Sequence, residues 1–132
     1  MQDVRLASCS CGKLTASARG EPVRISVCHC LNCQRRTGSP FAAQARFPEE
    51  AVTIEGHSTE YALVGDEGTT ARFHFCPECG ATVFYRMDAV PGFVAIPVGA
   101  FADPRFPPPT ASVYAIRQHP WIRLANEIEP LD

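Results

Sequence analysis

Seven cysteines lie in three tight groups: Cys9-Ser10-Cys11, Cys28-His29-Cys30-Leu31-Asn32-Cys33 and Cys76-Pro77-Glu78-Cys79. Cysteines two or three residues apart are poorly placed to bridge one another, and an odd count leaves one over, so a disulfide framework accounts for them badly. Burial as a small apolar side chain explains one cysteine, not seven at Cys-x-Cys and Cys-x-x-Cys spacing. The pattern is that of metal ligands. Four thiolates close a tetrahedron around zinc and hold a fold together, whereas three leave a coordination position open for chemistry.

The knuckle Cys76-Pro77-Glu78-Cys79-Gly80 supplies two of four ligands, with glycine taking the turn's unusual dihedrals. Its partner is either Cys9 with Cys11 or two members of the Cys28/Cys30/Cys33 triplet. The first pairing leaves no spare cysteine and makes the triplet a three-thiolate site; spacing alone does not exclude the second. Three thiolates make zinc a weak Lewis acid with a preference for a soft fourth ligand, so a substrate thiol suits the vacancy.

At 132 residues and 45% apolar, the chain is read as one domain, residues 1–132. Formal net charge is −2, and Lys13 is the single lysine beside eleven arginines. That balance argues against a nucleic-acid module, which carries a basic excess on one face. No apolar run reaches membrane-spanning length, and Met1-Gln2-Asp3-Val4 does not open a charged-then-apolar leader, so the expected compartment is the cytoplasm.

Short alternating or β-branched runs predict strands at Val4–Ser8, Lys13–Ala18, Pro22–Val27, Phe41–Phe47, Ala51–Glu55, Glu60–Val64, Thr69–Phe75, Ala81–Arg86, Phe93–Gly99 and Ala111–Ile116. Turn signals such as Glu55-Gly56-His57-Ser58 and Gly65-Asp66-Glu67-Gly68 separate them. One short helix is predicted over Leu31–Arg36, ended by Gly38. Pro107-Pro108-Pro109 reads as a stiff connector to a tail that packs.

Around the triplet, His29 lies between two ligands and reads either as a fourth ligand or acid/base group or, since an extended segment would turn its side chain away from the metal, as a packing or hydrogen-bonding residue. Arg35 and Arg36 are candidate substrate-binding residues, because a guanidinium fork matches a carboxylate. A solvated pair at a helix C-terminus is the plain alternative. Phe41 and Trp121 either wall a pocket or belong to the core. His57, His74 and His119 carry no motif.

The run Cys28-His29-Cys30-Leu31-Asn32-Cys33-Gln34-Arg35-Arg36-Thr37-Gly38-Ser39-Pro40-Phe41, with Cys9-Ser10-Cys11-Gly12 before it and Phe75-Cys76-Pro77-Glu78-Cys79-Gly80-Ala81 after it, resembles the glutathione-dependent formaldehyde-activating (GFA) family, which includes the centromere protein V domain. The resemblance runs from about Cys9 to Phe101. It implies a mainly β, β-tent fold of small antiparallel sheets around a structural four-cysteine zinc held by Cys9, Cys11, Cys76 and Cys79. It also implies a second, open zinc on Cys28, Cys30 and Cys33, giving two zincs per chain. The implied activity is a carbon-sulfur lyase reaction, condensing glutathione or a similar thiol with formaldehyde. Departures exist: the chain is shorter than the founding enzymes, so segments shaping a glutathione pocket are in question. A zinc-stabilised binding module and a redox or zinc sensor are the other classes the cysteines fit.

Overall fold

The computed structural model describes residues 3–131. Every segment read as a strand overlaps one, to within one or two residues at most ends: β1 Val4–Ser8, β2 Thr15–Arg19, β3 Arg24–Cys28, β4 Ala42–Pro48, β5 Val52–Glu55, β6 Thr59–Val64, β7 Thr70–Phe75, β8 Thr82–Met87, β9 Phe93–Pro97 and β10 Ala111–Val113. A short β11, Glu129–Pro130, lies in the tail and carries no signal of its own. The fold is mainly β, as expected.

The strands form two sheets. One has three strands, in the order β1-β2-β5; the other has eight, in the order β11-β10-β3-β4-β9-β8-β7-β6. Most pairings are antiparallel, but β10 runs parallel to both β3 and β11. That placement is why the residues after the proline run pack: Thr110 N–H donates to Ile25 O at 3.0 Å, and Ile122 is buried.

One apolar cluster joins the sheets. The small sheet contributes Ala7, Ala16 and Ala18, and the large one Ile25, Ala45, Phe47, Val83, Val94 and Ile96. Alanines on the small sheet let it approach closely, and the phenylalanines fill the remaining volume; Phe101 meets Phe47 at 6.2 Å and Phe106 edge-on at 4.7 Å between ring centroids. Alternation along β3 and β4 sends Arg24, Ser26, Cys28, Gln44 and Arg46 to the opposite face, away from this core. Among the described residues no helix is long and apolar enough to cross a membrane.

Gly56 turns β5 into β6 at φ 100°, and an added Cβ would stand 1.9 Å from Lys13 O. Gly56→Ala is therefore expected to destabilise by about 3 kcal/mol, combining left-handed strain with a clash against fixed backbone; denaturant unfolding measures it. Glu49 accepts two hydrogen bonds from Arg86, Nε at 2.9 Å and Nη2 at 2.7 Å, and these hold its carboxyl below the ordinary value. Such a depressed group stabilises fully above its unfolded value of about 4.3, and that contribution disappears as pH falls through the folded value. Glu49→Gln should thus cost up to about 1 kcal/mol near neutrality and flatten the acid limb of the stability profile, since the pair is partly solvent-screened.

Candidate metal centres and cavity

Two thiol clusters stand apart. Cys9, Cys11, Cys76 and Cys79 bring four Sγ atoms within 4.8 Å of one another, and Cys28, Cys30 and Cys33 bring three. The structure thus separates the two pairings that spacing left open.

In the first cluster Cys9 and Cys11 follow β1 of the small sheet, while Cys76 and Cys79 sit between β7 and β8 of the large one. The two knuckles are built alike. Cys9 N–H donates to Leu14 O at 2.9 Å and Cys76 N–H to Ala81 O at 3.0 Å, with Gly12 (φ 83°) and Gly80 (φ 81°) making the turns. Backbone N–H groups aim at sulfur: Leu14 N to Cys9 Sγ at 3.3 Å and Glu78 N to Cys76 Sγ at 3.4 Å. The N–H of Ala81 likewise pulls the Cys79 thiol down to about 6. Sulfur separations test whether the set fits a metal. Cys9 to Cys11 and Cys11 to Cys76 are each 3.7 Å apart, far beyond a disulfide bond. Zinc with four bonds of 2.3 Å has sulfur edges of about 3.8 Å. The donors fit.

In the second cluster Cys28 ends β3 on the face away from the core. Helix α1, Leu31–Thr37, begins immediately after it, with Cys30 as N-cap: its Sγ accepts from Cys33 N–H at 3.3 Å. Gly38 at φ 72° closes the helix, donating to Gln34 O at 2.9 Å, as its sequence position predicts. Hydrogen bonds from Cys28 and Cys33 bring the Cys30 thiol down to about 2, and the same contact with Cys30 pushes Cys28 far up. Three sulfurs in mutual contact are a donor set that fits a soft metal ion.

The trio forms one end of a cavity of about 330 Å³ on the outer face of the eight-stranded sheet. Its walls are largely apolar, with Phe73, Tyr85, Met87, Phe93 and Val113 prominent. At the tip of the β6–β7 hairpin Gly65, Asp66, Glu67 and Thr69 also border it, as does Tyr114. Tyr114 has φ 56°, an uncommon conformation for an aromatic residue; its hydroxyl is near Glu67 and its environment includes Cys30 and Cys28.

The other candidates separate. Arg35 is exposed and does not border the cavity. Arg36 lies over Phe73 at 4.5 Å and Tyr85 at 5.5 Å, beneath two cavity walls, and its charge reaches Cys33. His29 is wholly buried, its ring 6.3 Å from Phe41, which agrees with packing. Phe41 does not line the cavity; neither does Trp121, which is exposed. Missed in the sequence were Arg24, Arg46 and Tyr85, which line it.

A sequence profile described as glutathione-dependent formaldehyde-activating enzyme matches residues 4–117. The chain belongs to the GFA family. Over 80 residues this GFA chain is 24% identical to a Penicillium rubens protein that carries the provisional name of a glutathione-dependent formaldehyde-activating enzyme, covering 61% of this chain and 41% of that one. Over 78 residues it is 28% identical to an uncharacterized lyase of Schizosaccharomyces pombe, covering 59% and 54% respectively. It thus spans about half the length of these curated relatives. A crystal structure of a Rhodobacter sphaeroides protein shares the fold, with TM-score 0.57 at 22% identity over 72% of this chain and 85% of that chain.

Proposed function

We propose that this GFA-family chain is a zinc-dependent carbon-sulfur lyase that joins a thiol to formaldehyde or a similar small aldehyde at Cys28, Cys30 and Cys33. The observation that carries the reading is that three sulfurs within 4.8 Å of one another end a cavity large enough for a small organic molecule. Cys9, Cys11, Cys76 and Cys79 are assigned to a structural zinc, completing two zincs per chain. Zinc bound by the trio would supply a lowered proton affinity for a thiol placed beside it.

The chain's own groups do the rest. In the reaction the sulfur–carbon bond forms as the carbonyl π bond opens, and the thiol proton ends on the new hydroxyl oxygen. The cavity holds the two reactants together and limits water, and proximity is the main source of acceleration for so easy an addition. Tyr85 is kept protonated, because burial pushes its hydroxyl above the usual tyrosine range, so its O–H is available to a developing alkoxide. Arg36, the nearer of the two predicted arginines, adds a positive field beside Cys33. The test is formation of the S-hydroxymethyl adduct from formaldehyde and a thiol, followed by NMR, with Cys30→Ser as the comparison. Equal rates in both proteins would remove the trio from the chemistry.

A further inference from the structure

The cavity's other end is unlike the trio. Arg24 and Arg46 are directly opposed across the β3–β4 ladder and both line the cavity. Side chains so paired have Cβ atoms about 5 Å apart, where like charges destabilise a sheet. Among the described residues neither guanidinium has an ion-pair partner: the arginines that do are Arg5, Arg72 and Arg86. Burial and the Arg24 charge both draw Arg46 below its ordinary value, the mark of a cation short of a counter-charge. Two half-buried arginines held together, with no carboxylate of the described residues within ion-pair distance, are a receptor for an anion.

The charges also order the cavity from end to end. The carboxylates lining the cavity, Asp66 and Glu67, stand on the tip of the β6–β7 hairpin, with Glu67 beside Tyr114, the residue that follows the Val113 partner of Cys28. An anionic group is repelled there and drawn to the arginines. Tyr85 stands between, since the charges reaching it are Arg36, Cys33, Cys28 and Arg46. Ser26 and Gln44, the polar pair on this stretch of sheet, bond each other at 2.9 Å and carry no charge. The remaining span is lined by Leu63, Ala71, Phe73, Met87, Phe93 and Ala95. From Arg24 to Cys28 is four residues of strand, about 13 Å.

We propose that Arg24 and Arg46 form a carboxylate-binding subsite, so that the substrate is an amphipathic carboxylate whose apolar body lies along the sheet and whose thiol end reaches Cys28, Cys30 and Cys33. The thiol end rests on the lyase reading; the subsite does not. A tripeptide thiol, with an ammonium group and several amides, finds few polar partners along that apolar wall, and a chain of methylenes or an aromatic ring finds many contacts.

Calorimetric titration of the purified full chain with octanoate, with octanamide as the uncharged control, reads the subsite directly. Octanoate should bind the parent protein and Cys30→Ser alike, and bind Arg24→Gln and Arg46→Gln roughly tenfold or more weakly, as expected for losing a charged hydrogen-bond donor. Octanamide should bind weakly and be indifferent to both changes. Thermal unfolding verifies that each variant is folded, and removing one of two like charges should not lower its stability. Octanoate that fails to bind, or binds the arginine variants undiminished, overturns the subsite. The substrate class is read separately, by formaldehyde condensation with ω-mercaptooctanoate against glutathione. A higher kcat/KM for ω-mercaptooctanoate, lost in Arg46→Gln, supports it; a preference for glutathione overturns it. Octanoate binding through the arginines with no turnover of either thiol would leave the subsite standing and defeat the lyase reading instead.

Discussion

Cys76→Ser is expected to leave the chain without a cooperative fold, and a strong chelator should do the same to the parent protein. Cys76 is wholly buried, belongs to the apolar cluster and joins the knuckle of the large sheet to Cys9 and Cys11 of the small one. Structural zinc contributes about 10–16 kcal/mol to small metal domains. Net stability of a domain is about 5–15 kcal/mol, so losing a zinc held there would remove a quantity as large as the whole. The small sheet depends on it most, because its alanines bury little apolar area apiece. Serine at position 76 also places an unpaired hydroxyl in the core. Circular dichroism through a thermal ramp, with zinc measured on the same sample, decides it. A Cys76→Ser chain that unfolds at the parent's Tm would mean the four sulfurs are not the staple between the sheets.

What could be read beforehand depended on whether the signal was local. Strands β1 to β10 announce themselves by alternation and bounding turns, and α1 by its position after Cys30 and before Gly38. Cysteine spacing gave the two groups, but not the decision between two pairings of the knuckle. That required the small and large sheets to be placed against each other. Register was equally hidden. Arg24 and Arg46 are separated by the whole of α1 and become neighbours only through the β3–β4 ladder, so neither has a motif to draw attention. Arg35 and Arg36 did have one, being next to the triplet. Yet the helical turn that separates them leaves Arg35 exposed while Arg36 packs under the cavity wall. β11 escaped for another reason: two residues with a proline carry no periodicity, and they pair only because β10 presents an edge.

Cys30→Ser, in contrast to Cys76→Ser, is expected to keep the fold and lose the chemistry. Cys30 lies outside the apolar cluster, and its structural task is to cap α1 by accepting the Cys33 N–H. Serine is a favoured N-cap residue, so its Oγ takes over that bond and the helix start is preserved. The rest of the helix is secured elsewhere: Gln34 Nε2 donates to His29 O at 2.9 Å and Thr37 Oγ1 to Cys33 O at 2.8 Å. Tm should fall by no more than a few degrees, while any metal held by the trio is lost and adduct formation falls by more than about a hundredfold, beyond what an outer-shell change would give. Zinc content is the first number to obtain: a decline from two per chain to one, with the domain still folded, assigns one ion to the trio and the other to the four-cysteine cluster. A variant that retains both ions and full turnover would show that Cys30 serves the helix alone, and the reaction would then have to be sought away from this end of the cavity.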